Sequence, residues 1–276
     1  MHQVREITGF AAIVRYPHRA TSKDVYVMTA VPADAKKYFV RYSSSDDFDR
    51  LMAFYRANPH KNVDERNESL MRELVENGSV TLIQSAITGE VVAASISYPL
   101  NGDDGSQKWL EIGTTRSILN GYPGLFDVMI GMQVMRAFLV EPPGERFVCQ
   151  MESQAVRNMA NHLGFRPFVP SEELVRSSDT TLNADETCGF DKWYSAGPEA
   201  LPVVAQRMME AINKPVLTHL KSGENIELDF SKSKFFAIFK DEIQALSKRD
   251  LGNHDQPDYT ASIAKTRETW MKSFFK

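Results

Sequence analysis

The residues best able to do chemistry in this 276-residue chain fall between positions 109 and 165. Here a β-prone stretch runs through Gly121-Tyr122-Pro123-Gly124 into an apolar helix expected over 125–139. A helix begun on a glycine turn leaves backbone N–H groups without intrahelical acceptors, with the positive end of the helix dipole behind them. Such a turn can cradle a phosphate. Equally, its glycines can serve only a left-handed connection from strand to helix. Pro123 brings no N–H, and Asp127 in the first helical turn competes with a bound anion for the dipole. On the strand before the turn, Trp109, Glu111 and Gly113 share one face by alternation. Arg116 has the opposite parity and is either a surface residue or a grip for an anionic group.

Other chemistries find little support. His18, His60, His219 and His254 are scattered without metal-ligand spacing and read as surface residues. Cys149 and Cys188 fit neither a zinc pattern nor a disulfide framework. Within Phe147-Val148-Cys149 the thiol reads as a small buried hydrophobe. There is no Gly-x-Ser-x-Gly element, Walker-type loop or paired-carboxylate glycosidase pattern. A net charge of −4 gives no electrostatic case for nucleic-acid binding. No apolar run approaches the roughly 20 residues that span a bilayer, and the N-terminus lacks the pattern of a signal peptide. A cytoplasmic protein with no membrane partner is therefore expected.

The elements that must position these residues can be read in order. Two β-prone runs, 9–16 and 24–31, form an expected N-terminal β extension, 1–38. Residues 39–42 read as a strand leading to Ser45, an N-cap with Asp46 and Asp47 in the first turn. Leu51, Phe54 and Tyr55 then follow at helical spacing. A second helix, about 64–76, places Leu70, Met71, Leu74 and Val75 on one stripe and stops at Asn77-Gly78. Residues 80–87 and 91–98 make a hairpin about Thr88-Gly89-Glu90. After the strand at 109–118 comes the 125–139 helix, with Asp127 and Arg136 its only charges, a pattern that predicts burial on most faces. A strand at 147–151 and a helix at 153–162 follow. Residues 171–197 read as irregular, and helices are expected at 198–213, 232–248 and 260–275. The expected fold is α+β (α/β), with a mixed, mostly antiparallel central sheet flanked by helices. It comprises a main domain, 39–197, the N-terminal β extension and a helical C-terminal extension, 198–276.

This order of elements resembles the GNAT (N-acetyltransferase-like) superfamily, as a divergent member. The family's donor-binding turn commonly reads Arg/Gln-x-x-Gly-x-Gly/Ala. Here Gly121 replaces the first residue, Gly124 agrees, and Phe126 fills the small-residue position. The later helix commonly reads Asn-x-x-Ala…Leu-Tyr-x-x-Leu-Gly-Phe. Leu163-Gly164-Phe165 agrees, Ser153 stands in place of the Asn, and Ala160 in place of the Tyr that protonates the leaving thiolate.

The resemblance implies an N-acyltransferase that moves an acyl group, acetyl first of all, from acetyl-CoA or another acyl-CoA to an amine of a small molecule or protein. It implies Glu111 as the base, with Tyr122 and His162, and also Cys149, weighed as the acid. It implies donor contacts at Ser117, Ile118, Leu119, Gly121, Tyr122, Gly124, Leu125, Phe126 and Ser153. Backbone at 113–117, between splayed strands, would pair with pantetheine and polarise the carbonyl. Two alternatives stay open. Phe126 and the altered turn suit an acyl-carrier-protein donor, while Ala160 suits a non-catalytic protein that binds a ligand or partner. The C-terminal extension would cap the acceptor pocket, build a homodimer or dock a partner.

Overall fold

Apolar residues at alternate positions make Lys36–Tyr42 a strand (β1), burying Tyr38, Val40 and Tyr42 on one face. The computed structural model describes residues 35–59, 66–140, 146–151, 154–181 and 192–249. The expected N-terminal hairpin, Ser153 and the helix expected at 260–275 lie outside them. After β1, a 3-10 turn, Ser45–Asp47, leads into α1 (Phe48–Ala57). The cap is Ser44 rather than the expected Ser45, because Asp47 accepts from the Ser44 N–H at 2.8 Å and from its hydroxyl at 2.9 Å. Asp47 also takes both terminal nitrogens of Arg41 at 2.7 Å, so one carboxylate ties strand to helix.

Helix α2 (Glu68–Glu76) is capped by Asn67, whose side chain accepts from the Ser69 and Leu70 amides. Strands β2 (Val80–Ser85), β3 (Val91–Asn101) and β4 (Gln107–Ser117) make an antiparallel meander. Helix α3 (Leu125–Leu139) crosses back so that β5 (Arg146–Gln150) pairs parallel with β4. Then come α4 (Gln154–His162), β6 (Arg166–Pro167), α5 (Glu172–Asp179) and β7 (Trp193–Ala196). The last described elements are α6 (Leu201–Asn213), β8 (Val216–Thr218), β9 (Asn225–Asp229) and α7 (Lys234–Ser247).

Together the strands form one sheet of order β6-β7-β5-β4-β3-β2-β1-β9-β8. Among the described residues, only β4/β5 and β1/β9 are parallel. This is the mixed, mostly antiparallel α+β architecture expected from the sequence. Two cores lie on opposite faces. Helices α3, α4, α6 and α7 bury one, and α1, α2 and α5 the other.

Several elements were not anticipated. The stretch expected to be irregular holds α5 and β7. Ser171 caps α5, with Glu172 and Glu173 in its first turn, a start signal present in the sequence. Between the expected C-terminal helices lies the β8–β9 hairpin, and β9 pairs with β1, so the C-terminal segment extends the same sheet. The all-round apolar character of α3 now has a cause. One side meets the sheet and the other meets α6, which crosses at Gly131, where an added Cβ would come within 2.6 Å of Met208 Sδ.

Candidate active site

Strand β4 pairs with β3 along its whole length, out to Ser117 opposite Ala93. Its pairing with β5 runs only from Trp109 opposite Arg146 to Ile112 opposite Cys149. Residues 113–117 therefore have no strand partner on the β5 side among the described residues, and all five are partly exposed. A β-bulge lies within this run. Ala94 faces Arg116 and Ile96 faces Gly113, so Thr114 and Thr115 together oppose Ser95. Thr114 carries the bulge in a left-handed conformation, φ +48. Tyr55 of α1 donates to the Thr114 carbonyl at 2.6 Å, and the Tyr98 and Thr114 hydroxyls lie 2.6 Å apart.

The inserted residue changes which way the strand's end faces. Simple alternation sets Arg116 opposite to Glu111, but cross-strand partners share a face, and Arg116 pairs with Ala94 as Glu111 pairs with Tyr98. Since Ala94, Ile96 and Tyr98 all belong to the α1/α2/α5 core, Glu111, Gly113 and Arg116 point to that side. The expected opposite parity of Arg116 is thus reversed by the bulge.

Glu111 is buried, 1% exposed. Arg66 Nη2 donates to its Oε1 at 3.2 Å and the Ser178 hydroxyl to its Oε2 at 2.6 Å. Arg66 also lies over the Tyr98 ring, 4.6 Å from its centroid, and donates to the Thr181 hydroxyl. Glycine at 113 makes room for this layer, since a Cβ there would stand 3.0 Å from Tyr98 and 3.1 Å from Arg66. Burial pushes the Tyr98 hydroxyl up to about 12, against the opposing pull of Arg66. Ser178, Thr181 and Arg66 were missed in the sequence; no spacing links them, because α5 and the residue before Asn67 meet only in the folded chain.

Beyond β4, Ser117 Oγ accepts from the Leu119 amide at 2.9 Å, while Ile118 is exposed. Gly121 and Gly124 both have positive φ, +84 and +87, and Gly124 is the N-cap of α3. Having no side chain, Gly124 leaves the amides of Phe126 and Asp127 without a side-chain cap, while Leu125 N–H is turned to the Tyr122 carbonyl at 3.3 Å. Phe126 packs on the α3-side core, and burial raises the Asp127 carboxyl above its usual range despite Arg207 and His162 nearby.

The β8–β9 hairpin seats itself against one side of this turn. His219 fills the place a Gly121 Cβ would take, its Nε2 lying against that position, and Leu220 N–H donates to the Gly121 carbonyl at 2.9 Å. The Tyr122 and His219 rings stack edge-on, 5.1 Å apart.

Of the residues expected to be catalytic, Glu111 lies in the α1-side network, Tyr122 under the hairpin and His162 at the exposed end of α4. The α4 helix packs on the α3 face of the sheet, as does Tyr122, so the fold sets these two on the opposite side from Glu111. Cys149 is buried, and burial foremost, helped by the charge of Glu111, holds its thiol far above the ordinary value. At the end of α4, Gly164 adopts φ +87 and Phe165 folds into the core beside Phe147, centroids 6.0 Å apart. Ala160 is fully buried.

No protein-family model matches the sequence, and no curated protein matches it. Among solved structures, the chain is similar to a mosquito arylalkylamine N-acetyltransferase-like 5b, 10% identical over 57% of this chain and 97% of that one, TM-score 0.41. It is similar to the diaminobutyrate acetyltransferase of Paenibacillus lautus in complex with L-2,4-diaminobutyric acid and coenzyme A, at 11% identity, 59% and 96% coverage and TM-score 0.41. A Drosophila melanogaster polyamine N-acetyltransferase is similar at 13% identity, 57% and 97% coverage and TM-score 0.38. Within this chain's own sheet, β4 and β5 form a parallel pair with α3 crossing between them.

Proposed function

We propose that this protein is an N-acyltransferase that accepts an acyl-CoA thioester in the opening between β4 and β5. The observation that carries the reading is the run 113–117, which leaves β5 after Ile112 and leads through Gly121 and Gly124 to the start of α3. Free backbone groups on that run suit the amide-bearing pantetheine arm, which can pair with them as a neighbouring strand would. The amides of the first α3 turn, which no side chain caps, suit the pyrophosphate. An N–H at the opening would stabilise the oxyanion as the amine attacks the thioester carbon. The C–N bond then forms, the C–S bond breaks, and the amine gives up a proton.

In this reading Glu111 receives that proton through Ser178. The hydroxyl already donates to the carboxylate, so it can pass its own proton on as it takes one from the amine. With Ala160 in place of a phenol, the departing thiolate takes its proton from solvent. A second reading, a donor carried on an acyl-carrier protein, is favoured by the hairpin contact on Gly121 and by Phe126 and Asp127 at the turn. Thermal-shift titrations with CoA, acetyl-CoA, longer acyl-CoAs and an acylated carrier protein separate the two. Stabilisation by the CoA thioesters supports the first. Stabilisation by the carrier alone supports the second, and a response to neither removes both.

A further inference from the structure

Arg116 lies on the opened end of β4, and its situation is electrostatically incomplete. Its Nε is shut off from solvent and has no hydrogen-bond partner. Among the described residues the guanidinium forms neither a hydrogen bond nor an ion pair. Glu111, the buried acid on the same face of β4, is committed to Arg66 and Ser178. Tyr55, which acts on the guanidinium electrostatically, has its hydroxyl engaged with the Thr114 carbonyl. Arginine keeps its charge at every physiological pH, so withdrawing part of it from water without a partner is unfavourable. The bulge makes this worse by turning Arg116 inward, toward the α1 side, when simple alternation would have sent it to the other face. A fold that holds a cation in this way, at the place where two strands part, has left a position for an anion.

We propose that Arg116 is the binding site for a carboxylate carried by the acceptor amine. The proposal rests on the N-acyltransferase reading and specifies its substrate class. The planar guanidinium matches a carboxylate in a two-pronged bond, which fixes the orientation of the acceptor as well as its affinity. Glu111 and Arg116 project to the same side from positions flanking the bulge, so a molecule gripped at Arg116 would hold its amine toward the thioester and the Glu111–Ser178 pair. Tyr55 acts as a positioning residue, because its bond to Thr114 braces the bulge that aims Arg116.

The test compares the wild-type chain with Arg116→Gln and Arg116→Lys against a panel of L-amino acids and the corresponding amino-acid amides. Thermal shift is read without a donor, and thiol release with acetyl-CoA or succinyl-CoA. Wild type should prefer the free acids over the amides by on the order of 10- to 100-fold. Arg116→Gln should abolish the preference and Arg116→Lys restore part of it, while CoA binding stays as in wild type. The melting temperature of Arg116→Gln alone should equal or exceed that of wild type, since an unpaired half-buried charge is removed; a clear fall marks a structural arginine and overturns the proposal. Equal treatment of acids and amides by wild type also overturns it. A preference for succinyl-CoA that Arg116→Gln erases, with no acid-over-amide preference, puts the carboxylate on the acyl chain and overturns the assignment to the acceptor. Loss of all CoA binding with the acid preference intact sinks the acyl-CoA reading and leaves the carboxylate site standing.

Discussion

Glu111 and Arg66 are both almost wholly withdrawn from water, with side-chain exposures of 2% and 5%. Removing one partner of such a pair leaves a buried charge, so Arg66→Ala should destabilise the fold by about 3–5 kcal/mol in denaturant melts. Replacing both with apolar side chains of similar volume should be far milder. Glu111→Gln keeps the shape and is the cleaner probe of chemistry. If the carboxylate receives the amine proton, turnover should fall on the order of 100-fold with little change in KM. Ser178→Ala should reproduce most of that fall if the hydroxyl is the relay, and full activity in Ser178→Ala would remove the relay. Gly113→Ala presses a methyl group against Tyr98 and Arg66, so it should destabilise by about 1–3 kcal/mol.

Among the elements, β4 shows where a sequence can and cannot be read. Its existence, the turn that follows it and the bounds of α3 were legible, since apolar periodicity and paired glycines are local signals. The Leu163-Gly164-Phe165 stop was legible for the same reason. The bulge was not, because Thr114-Thr115 carries no glycine and resembles any β-prone pair. Missing it turned the end of the strand around and hid Arg116. Strands β6 to β9 were too short for periodicity, and Ile226 and Leu228 acquire their burial only from β1 and the α6–α7 layer. At Gly164, positive φ coincides with close packing, for an added Cβ would lie 2.9 Å from that of Ala200. Gly164→Ala should therefore cost about 1–3 kcal/mol, measured as a lowered chemical-denaturation midpoint.

For the whole molecule, acid stability is set by carboxylates that bridge elements. Burial acts to raise Asp47, but the two bonds from Arg41 and those from Ser44 outweigh it and hold the carboxyl below its usual range. Asp229 is held low in the same way, burial being outweighed by Lys37 and Ser231. The unfolded chain therefore binds these protons more readily than the folded one. Their contribution is present above the ordinary carboxylate range, near pH 4, and is lost as pH falls through the lower folded values. Melting temperature should drop below about pH 4, and Asp47→Asn should be less stable at pH 7 with a shallower acid decline. The C-terminal layer is equally part of the body of the protein. Phe239→Ala, which empties a fully buried site on α7, should cost about 3–5 kcal/mol. The parallel pairing of β9 with β1 carries a consequence for biosynthesis. As the chain leaves the ribosome, Lys36 must wait for Ile226 before that edge of the sheet is closed. Until then the nascent protein presents an open edge, guarded by Lys36 and Lys37, which later take Glu224, Glu227 and Asp229 as partners. A chain halted at Asn213 should recruit holdase chaperones or self-associate where the finished one does not.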